Sequence, residues 1–376
     1  RALGMEVTVV GRICGWDDVS GGDNLDRDKV ADDLQPHWHC PVATYTDIDN
    51  FLDAHSDENF GVLIVMSRVW DAPVTRGLPD IWMSAFRRGW PNAPVVVWGA
   101  DVHAACTPDN HYTRRNPKGM WIRQVSQLAA LASADAVLAY TEEDVDALSL
   151  YFSDNVQLFV SAMNHAKPLT GDEVFPSFSE RRGIVLVGFS HIINIETNLW
   201  FLVRVFPHVR RLLREEGKEH LAQVSVIGMT LQEAERYSEQ LGYNISDAQG
   251  EGINWRGYVP DLSQAFDEAV VACTAVHSCP EFASKNMRPL ERGVPVVTNS
   301  HGAQGYMLED RGGLNGIVVV DSDDVSRFAQ AVAQLLGDET WWTKVSKGAL
   351  HLVQTTLQPR HVEETVQAPL RHFAEA

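Results

Sequence analysis

Residues 285–291 read KNMRPLE, and their types suit a diphosphate flanked by a hydroxyl pair. Proline is tolerated in the first turn of a helix and not in its interior, so Pro289 predicts a helix start near Asn286, with Asn286 as the N-cap. The backbone N–H groups of residues 286–288 would then point outward beside Lys285 and Arg288. Amide donors, a helix dipole end and two cations together suit a diphosphate. Glu291, one turn in, would accept hydrogen bonds from the hydroxyls of a sugar or ribose. The same residues equally describe a capped helix with solvated charges.

Other candidates lie in the first half. An apolar strand over residues 94–98 delivers Asp101 and His103 to its carboxyl end, where α/β proteins place ligands. Such a pair is also met as a turn-forming aspartate and a surface histidine. Gly21 and Gly22, after the first predicted strand, would let the backbone approach a ligand closely or simply make a tight turn. They do not form GxGxxG, and no acidic residue ends a clear second strand, so a dinucleotide site is not supported. His37 and His39 share one strand face beside Cys40, yet no second ligand pair lies nearby and no metal site is expected. The basic set Arg114, Arg115, Lys118 and Arg123 would grip an anion or form a solvated loop face.

These residues need elements to hold them. Short apolar runs are expected as strands at 6–12, 61–66, 94–98, 136–140 and 156–160. Helical patterns fall between them at 80–88, 120–134 and 142–151. This alternation predicts a doubly wound parallel sheet. Residues 167–182, rich in proline and charge, read as an interdomain linker. A second series follows, with strands at 183–188, 223–228, 269–275 and 317–320, helices near 198–215, 231–241 and 324–336, and a helical tail at 339–376 interrupted by Pro359. Two domains follow, 1–166 and 183–359.

Composition limits the function. Apolar residues make up 45% of the 376, enough for full cores, and the net charge of −19 argues against nucleic acid as a partner. No apolar run is long enough to span a bilayer, and strong membrane association is not expected. The five cysteines, Cys14, Cys40, Cys106, Cys273 and Cys279, are odd in number and scattered. Reduced thiols in a cytoplasmic protein fit better than a disulfide framework.

The second half resembles the donor domain of family 4 glycosyltransferases of the GT-B fold. The resemblance rests on Val187-Gly188-Phe189-Ser190-His191-Ile192-Ile193-Asn194, on Gly257-Tyr258-Val259-Pro260-Asp261-Leu262, and on Lys285, Arg288, Glu291 and the GVPVVT strand that follows. It extends through the glycine loop containing Ser300 and Gly302 and covers residues 183–350. The first half is similar only around Gly21-Gly22, 101–103 and 134–144.

The resemblance implies two Rossmann-like domains across a cleft, with a final helix (about 360–376) crossing back to the first domain. It implies a UDP- or GDP-sugar donor, a hydroxyl acceptor such as a saccharide or glycoconjugate, retention at the anomeric carbon, and no cofactor or metal. By the same route Tyr258 and Val259 would border the base and Glu291 the ribose. Lys285, Arg288 and nearby amides, Asn286 among them, would hold the pyrophosphate, with Gly21-Gly22 opposite. His103, with Asp101, would stand near the reacting hydroxyl. Ser190, Asn194, Gly257, Ser300 and Gly302 complete the expected donor site. Many family members carry Glu-x7-Glu; here the first position is Ala283, and Glu281 is the nearest acid. A nucleotide-sugar epimerase or hydrolase, and a non-catalytic partner subunit, are the alternative roles on this architecture.

Overall fold

The computed structural model describes residues 9–12, 42–45, 53–54, 56–57, 61–66, 78–100, 125, 127–152 and 155–161 of the first half. Of the second it describes 166–167, 169, 173–188, 192–245, 252–276, 283–306, 308, 312–321 and 324–375. In the first half, β1 (Val9–Arg12) pairs in parallel with β2 (Val42–Tyr45). A second parallel sheet runs β3 (Leu63–Met66), β4 (Val95–Ala100), β5 (Ala136–Ala139), β6 (Gln157–Val160). Its helices include α1 (Leu78–Gly89) and α2 (Glu142–Ser149). Thr141 caps α2 by accepting from the Asp144 N–H at 3.0 Å, and three acids fill its first turn.

The second half forms one six-stranded parallel sheet. Its strands are β7 (Ile184–Val187), β8 (Val224–Ile227), β9 (Ile253–Gly257), β10 (Val271–Thr274), β11 (Val296–Thr298) and β12 (Ile317–Val319). Their spatial order is β12-β11-β10-β7-β8-β9. The chain builds outward from β7 through β8 to β9 and then crosses to β10, so the order reverses between β7 and β10. Open α/β sheets bind ligands outside the carboxyl ends of the strands at such a reversal.

Strand alternation explains the two-sided core. Ile184, Leu186, Val271, Cys273 and Val297 face one helical layer, while Val185, Ala272, Val296 and Ile317 face the other. The first layer holds α3 (Ile192–Trp200), α4 (Phe206–Glu215), α5 (Leu231–Leu241) and, later in the chain, α8 (Val325–Gly337). The second holds α6 (Leu262–Glu268), α7 (Met287–Glu291) and much of α9 (Glu339–Thr355). The final helix, α10 (Pro359–Glu375), starts on a proline, which suits a first helical position. Its Val366 and Phe373 pack against Val96, Ala136 and Leu138 of the first half's sheet. Among the described residues, no helix is long and apolar enough to cross a membrane.

One expectation is corrected. The helix expected from about residue 198 begins at Ile192 and runs into α4 through a π-helical stretch, Phe201–Val205. Pro207 has no N–H to give, and just before it the Phe206 N–H reaches back to the Phe201 carbonyl. Asn194, expected in the loop 188–194, and Thr197, ahead of the expected helix start, thus lie in the first turns of a helix that abuts the sheet. The stretch 167–182, read as an interdomain linker, carries a deeply buried charge. Arg181 there is 2% exposed. It donates to the carbonyls of Pro176, Phe266, Asp267, Ala269 and Arg292 at 2.9–3.4 Å and lies over the Trp342 ring. Burial draws its pKa down to about 10, and it remains charged at neutral pH.

Candidate functional site

The carboxyl ends of β7, β10 and β11 bring together much of what the sequence singles out. After β7 the chain passes Gly188 into α3. A Cβ there would lie 2.8 Å from the Asn194 Cβ and 3.1 Å from the Asn198 amide nitrogen, so only glycine lets strand and helix meet this closely. Asn194 is then held against the loop that follows β10: its Oδ1 accepts a hydrogen bond from Lys285 Nζ at 3.1 Å. Two candidates 91 residues apart in sequence thus meet across the order reversal. Thr197, one turn on, donates to the Ala275 carbonyl at 2.8 Å and binds α3 to the end of β10.

Asn286 does not cap α7. A 3-10 turn, Ser284–Asn286, precedes the helix and continues directly into it, and Asn286 has helical backbone angles and no capping bond. The N–H groups of Asn286 and Met287 bond the carbonyls of Ala283 and Ser284, and so do not point outward as expected. Asn286 instead turns inward. It is fully buried, and its Nδ2 donates to the Gly302 carbonyl at 2.8 Å. This joins the loop after β10 to the glycine turn after β11, the 3-10 turn His301–Ala303 that begins from Ser300.

Glu291 is buried at 8% exposure but not isolated. It accepts from the Lys167 backbone N–H at 2.6 Å and pairs with Arg288 at 3.0 Å; the Arg288 side chain is 59% exposed. A carboxylate has about four lone-pair directions, so these bonds leave room for a hydroxyl ligand. Its charge, second to burial, also helps to push the Tyr306 phenol well above its ordinary pKa. Tyr306 is fully buried and donates to the Ala283 carbonyl at 2.7 Å. Ala283, where the resemblance would put the first acid of Glu-x7-Glu, is itself buried. At the sheet's far edge, two strands from β7, Gly257 turns the chain out with φ +58°. Tyr258 is 74% exposed there, and Val259 packs into the core.

Sequence reasoning missed the residues that fasten this region. Asn299, 1% exposed, accepts from the N–H groups of Val276 and Gly302 and donates to the Val276 carbonyl at 2.7 Å. Thr298 donates to the Thr274 carbonyl. The available signal was two polar residues, Thr298 and Asn299, closing an otherwise apolar strand. Gly21, Gly22, Asp101, His103, Ser190 and Glu281 lie outside the described residues, as do His37, His39, Cys40, Arg114, Arg115, Lys118 and Arg123. Among the described residues, no group of three or more His, Cys, Asp or Glu is placed to hold a metal ion.

Two parallel-sheet units, the second with its order reversal and a last helix returning to the first, define a GT-B fold. The second unit carries a family signature as well: residues 181–338 match the family model of glycosyl transferases group 1. The poly(glycerol-phosphate) alpha-glucosyltransferase of Bacillus subtilis (strain 168) is 25% identical over 274 residues, which is 72% of this chain and 37% of that protein. The chain thus spans little more than a third of that relative.

Among solved structures, Anabaena HepE in complex with UDP and glucose aligns with a TM-score of 0.60 at 13% identity, covering 90% of this chain and 88% of that one. Sucrose-phosphate synthase from Thermosynechococcus elongatus aligns at 0.58 and 14%, covering 94% and 81%. The trehalose 6-phosphate synthase of Burkholderia multivorans aligns at 0.56 and 14%, covering 94% and 78%. At such identities the likeness is one of fold.

Proposed function

We propose that this chain is a glycosyltransferase that moves a sugar from a nucleotide-diphospho-sugar to a hydroxyl acceptor. The observation that carries the reading is the Asn194–Lys285 contact at the order reversal of a group 1 domain, beside Arg288 and the buried Glu291. Lys285 and Arg288 are the cations for the diphosphate. As the bond to the sugar breaks, negative charge gathers on the departing diphosphate, and donors already in place lower that barrier most. Glu291 takes the ribose hydroxyls on its remaining lone pairs, and Tyr258 and Val259 border the base.

The anomeric configuration is retained and no metal is needed, the two cations taking the role of a divalent ion. UDP is the favoured nucleotide, in keeping with the UDP bound to HepE, and GDP is the alternative. The acceptor is a saccharide or glycoconjugate hydroxyl, approached from the first unit, where Asp101 and His103 would serve the reacting group. The buried, unpaired-with-sulfur thiol of Cys273 is in keeping with a cytoplasmic protein.

Isothermal titration with UDP and UMP tests this. Lys285→Ala should weaken UDP binding about tenfold, equivalent to about 1.4 kcal/mol, while UMP changes far less. Equal losses for the two nucleotides would remove Lys285 from the diphosphate, and an absence of nucleotide binding would end the proposal.

A further inference from the structure

Three buried polar atoms at this end of the sheet have no hydrogen-bond partner among the described residues: Asn286 Oδ1, His301 Nδ1 and Gln304 Oε1. They belong to one small region. The Asn286 amide bonds the carbonyl of Gly302, which is His301's neighbour, and the Gln304 N–H reaches the His301 carbonyl. The Asn286 Nδ2 bond fixes which end of that amide is the acceptor left over. Asn299 provides the contrast. It is as deeply buried, in the same turn, and uses both ends of its amide. The fold can satisfy an amide here, yet leaves these three atoms without partners among the described residues. A buried acceptor without a donor is costly, so its retention points to a ligand that brings one.

The chemistry of the three atoms narrows the ligand. Two are amide carbonyl oxygens, which only accept hydrogen bonds. Burial lowers the pKa of His301, so its ring is neutral at pH 7 and one nitrogen can accept. A set of uncharged acceptors matches a group rich in hydroxyl donors and poorly matches a carboxylate. Resting on the reading of this site as a nucleotide-sugar pocket, we propose that Asn286, His301 and Gln304 recognise the hydroxyls of the donor's sugar and select a neutral hexose over a hexuronate.

Titration of the full chain with UDP, UDP-glucose and UDP-glucuronate tests the assignment, with GDP and GDP-mannose as the pair if the guanosine nucleotide is the one that binds. Gln304→Ala and His301→Ala should each weaken UDP-glucose binding about three- to tenfold while leaving UDP within about twofold. The unaltered protein should bind UDP-glucose at least about tenfold more tightly than UDP-glucuronate. Parallel losses for UDP and UDP-glucose would assign the three atoms to buried water and overturn the proposal. So would equal affinity for the two sugars, a comparison that stands even if a variant fails to fold. If the unaltered protein binds UDP-glucose no more tightly than UDP, the sugar pocket fails while the nucleotide site survives; if it binds no nucleotide at all, both fail.

Discussion

The two ends of the six-stranded sheet treat buried polar groups in opposite ways. At the amino ends of the strands the large buried donors among the described residues are matched. Arg181 serves five carbonyls, Trp342 Nε1 donates to Val270 O at 2.7 Å, and Ser346 Oγ donates to Gly293 O at 2.6 Å. At the carboxyl ends, Asn198, Asn286, His301 and Gln304 each keep a buried polar atom without a partner among the described residues. A polar group buried and satisfied stabilises the fold, whereas one buried and unsatisfied destabilises it until a ligand arrives. One end of the sheet is therefore fastened by satisfied bonds, while the other carries the proposed binding site, although both are made of the same strands.

The largest test of this contrast is Arg181→Met. Methionine approximates the volume but offers no donor, and five buried or partly buried carbonyls lose their partner. Destabilisation of about 3 kcal/mol or more is expected in urea unfolding, with nucleotide affinity of the folded fraction unchanged. A loss below about 1 kcal/mol would mean that water reaches these carbonyls, and the two ends would no longer differ.

Much of this architecture is legible in the sequence. Apolar runs such as IVLV and VVT mark strands buried on both faces, and the loops after them carry the polar residues of the site. Lys285, Arg288 and Glu291 stand out by type and spacing. What cannot be read is pairing at long range. Asn286 has the look of a cap, but whether its amide caps α7 or reaches Gly302 depends on where the turn after β11 falls, 16 residues on. Arg181 sits among prolines and charges, and its acceptors at Phe266 and Arg292 are 85 and 111 residues away. Local composition reports exposure only when no distant partner covers the residue, and here one does.

At the carboxyl ends, Gly302→Ala sharpens the comparison. A methyl group there would overlap the Thr298 hydroxyl, which itself donates to Thr274. Either the turn shifts or that bond breaks, for a stability cost of about 1–3 kcal/mol by overpacking. A variant at the amino ends of similar cost should leave nucleotide binding alone, whereas Gly302→Ala should weaken it as well, because the shifted turn carries Asn286 with it. Calorimetry of both variants checks this, and unchanged binding in Gly302→Ala would detach the glycine turn from the site.

The smallest expected effect is a pH dependence. Burial lowers the pKa of His301 from its ordinary 6.5, so the folded protein binds this proton less readily than the unfolded chain. The sign follows from that difference: where the unfolded state holds more protons, stability rises with pH. The neutral ring therefore imposes no cost above pH 6.5, and stability falls as the pH drops from there toward the lower folded value. His301→Ala should flatten the thermal midpoint over that window relative to the unaltered protein, while the region above neutrality stays parallel in the two. Identical slopes below pH 6.5 would show that the ring is solvated in the folded state, and its unpartnered nitrogen would then be no different from a surface group.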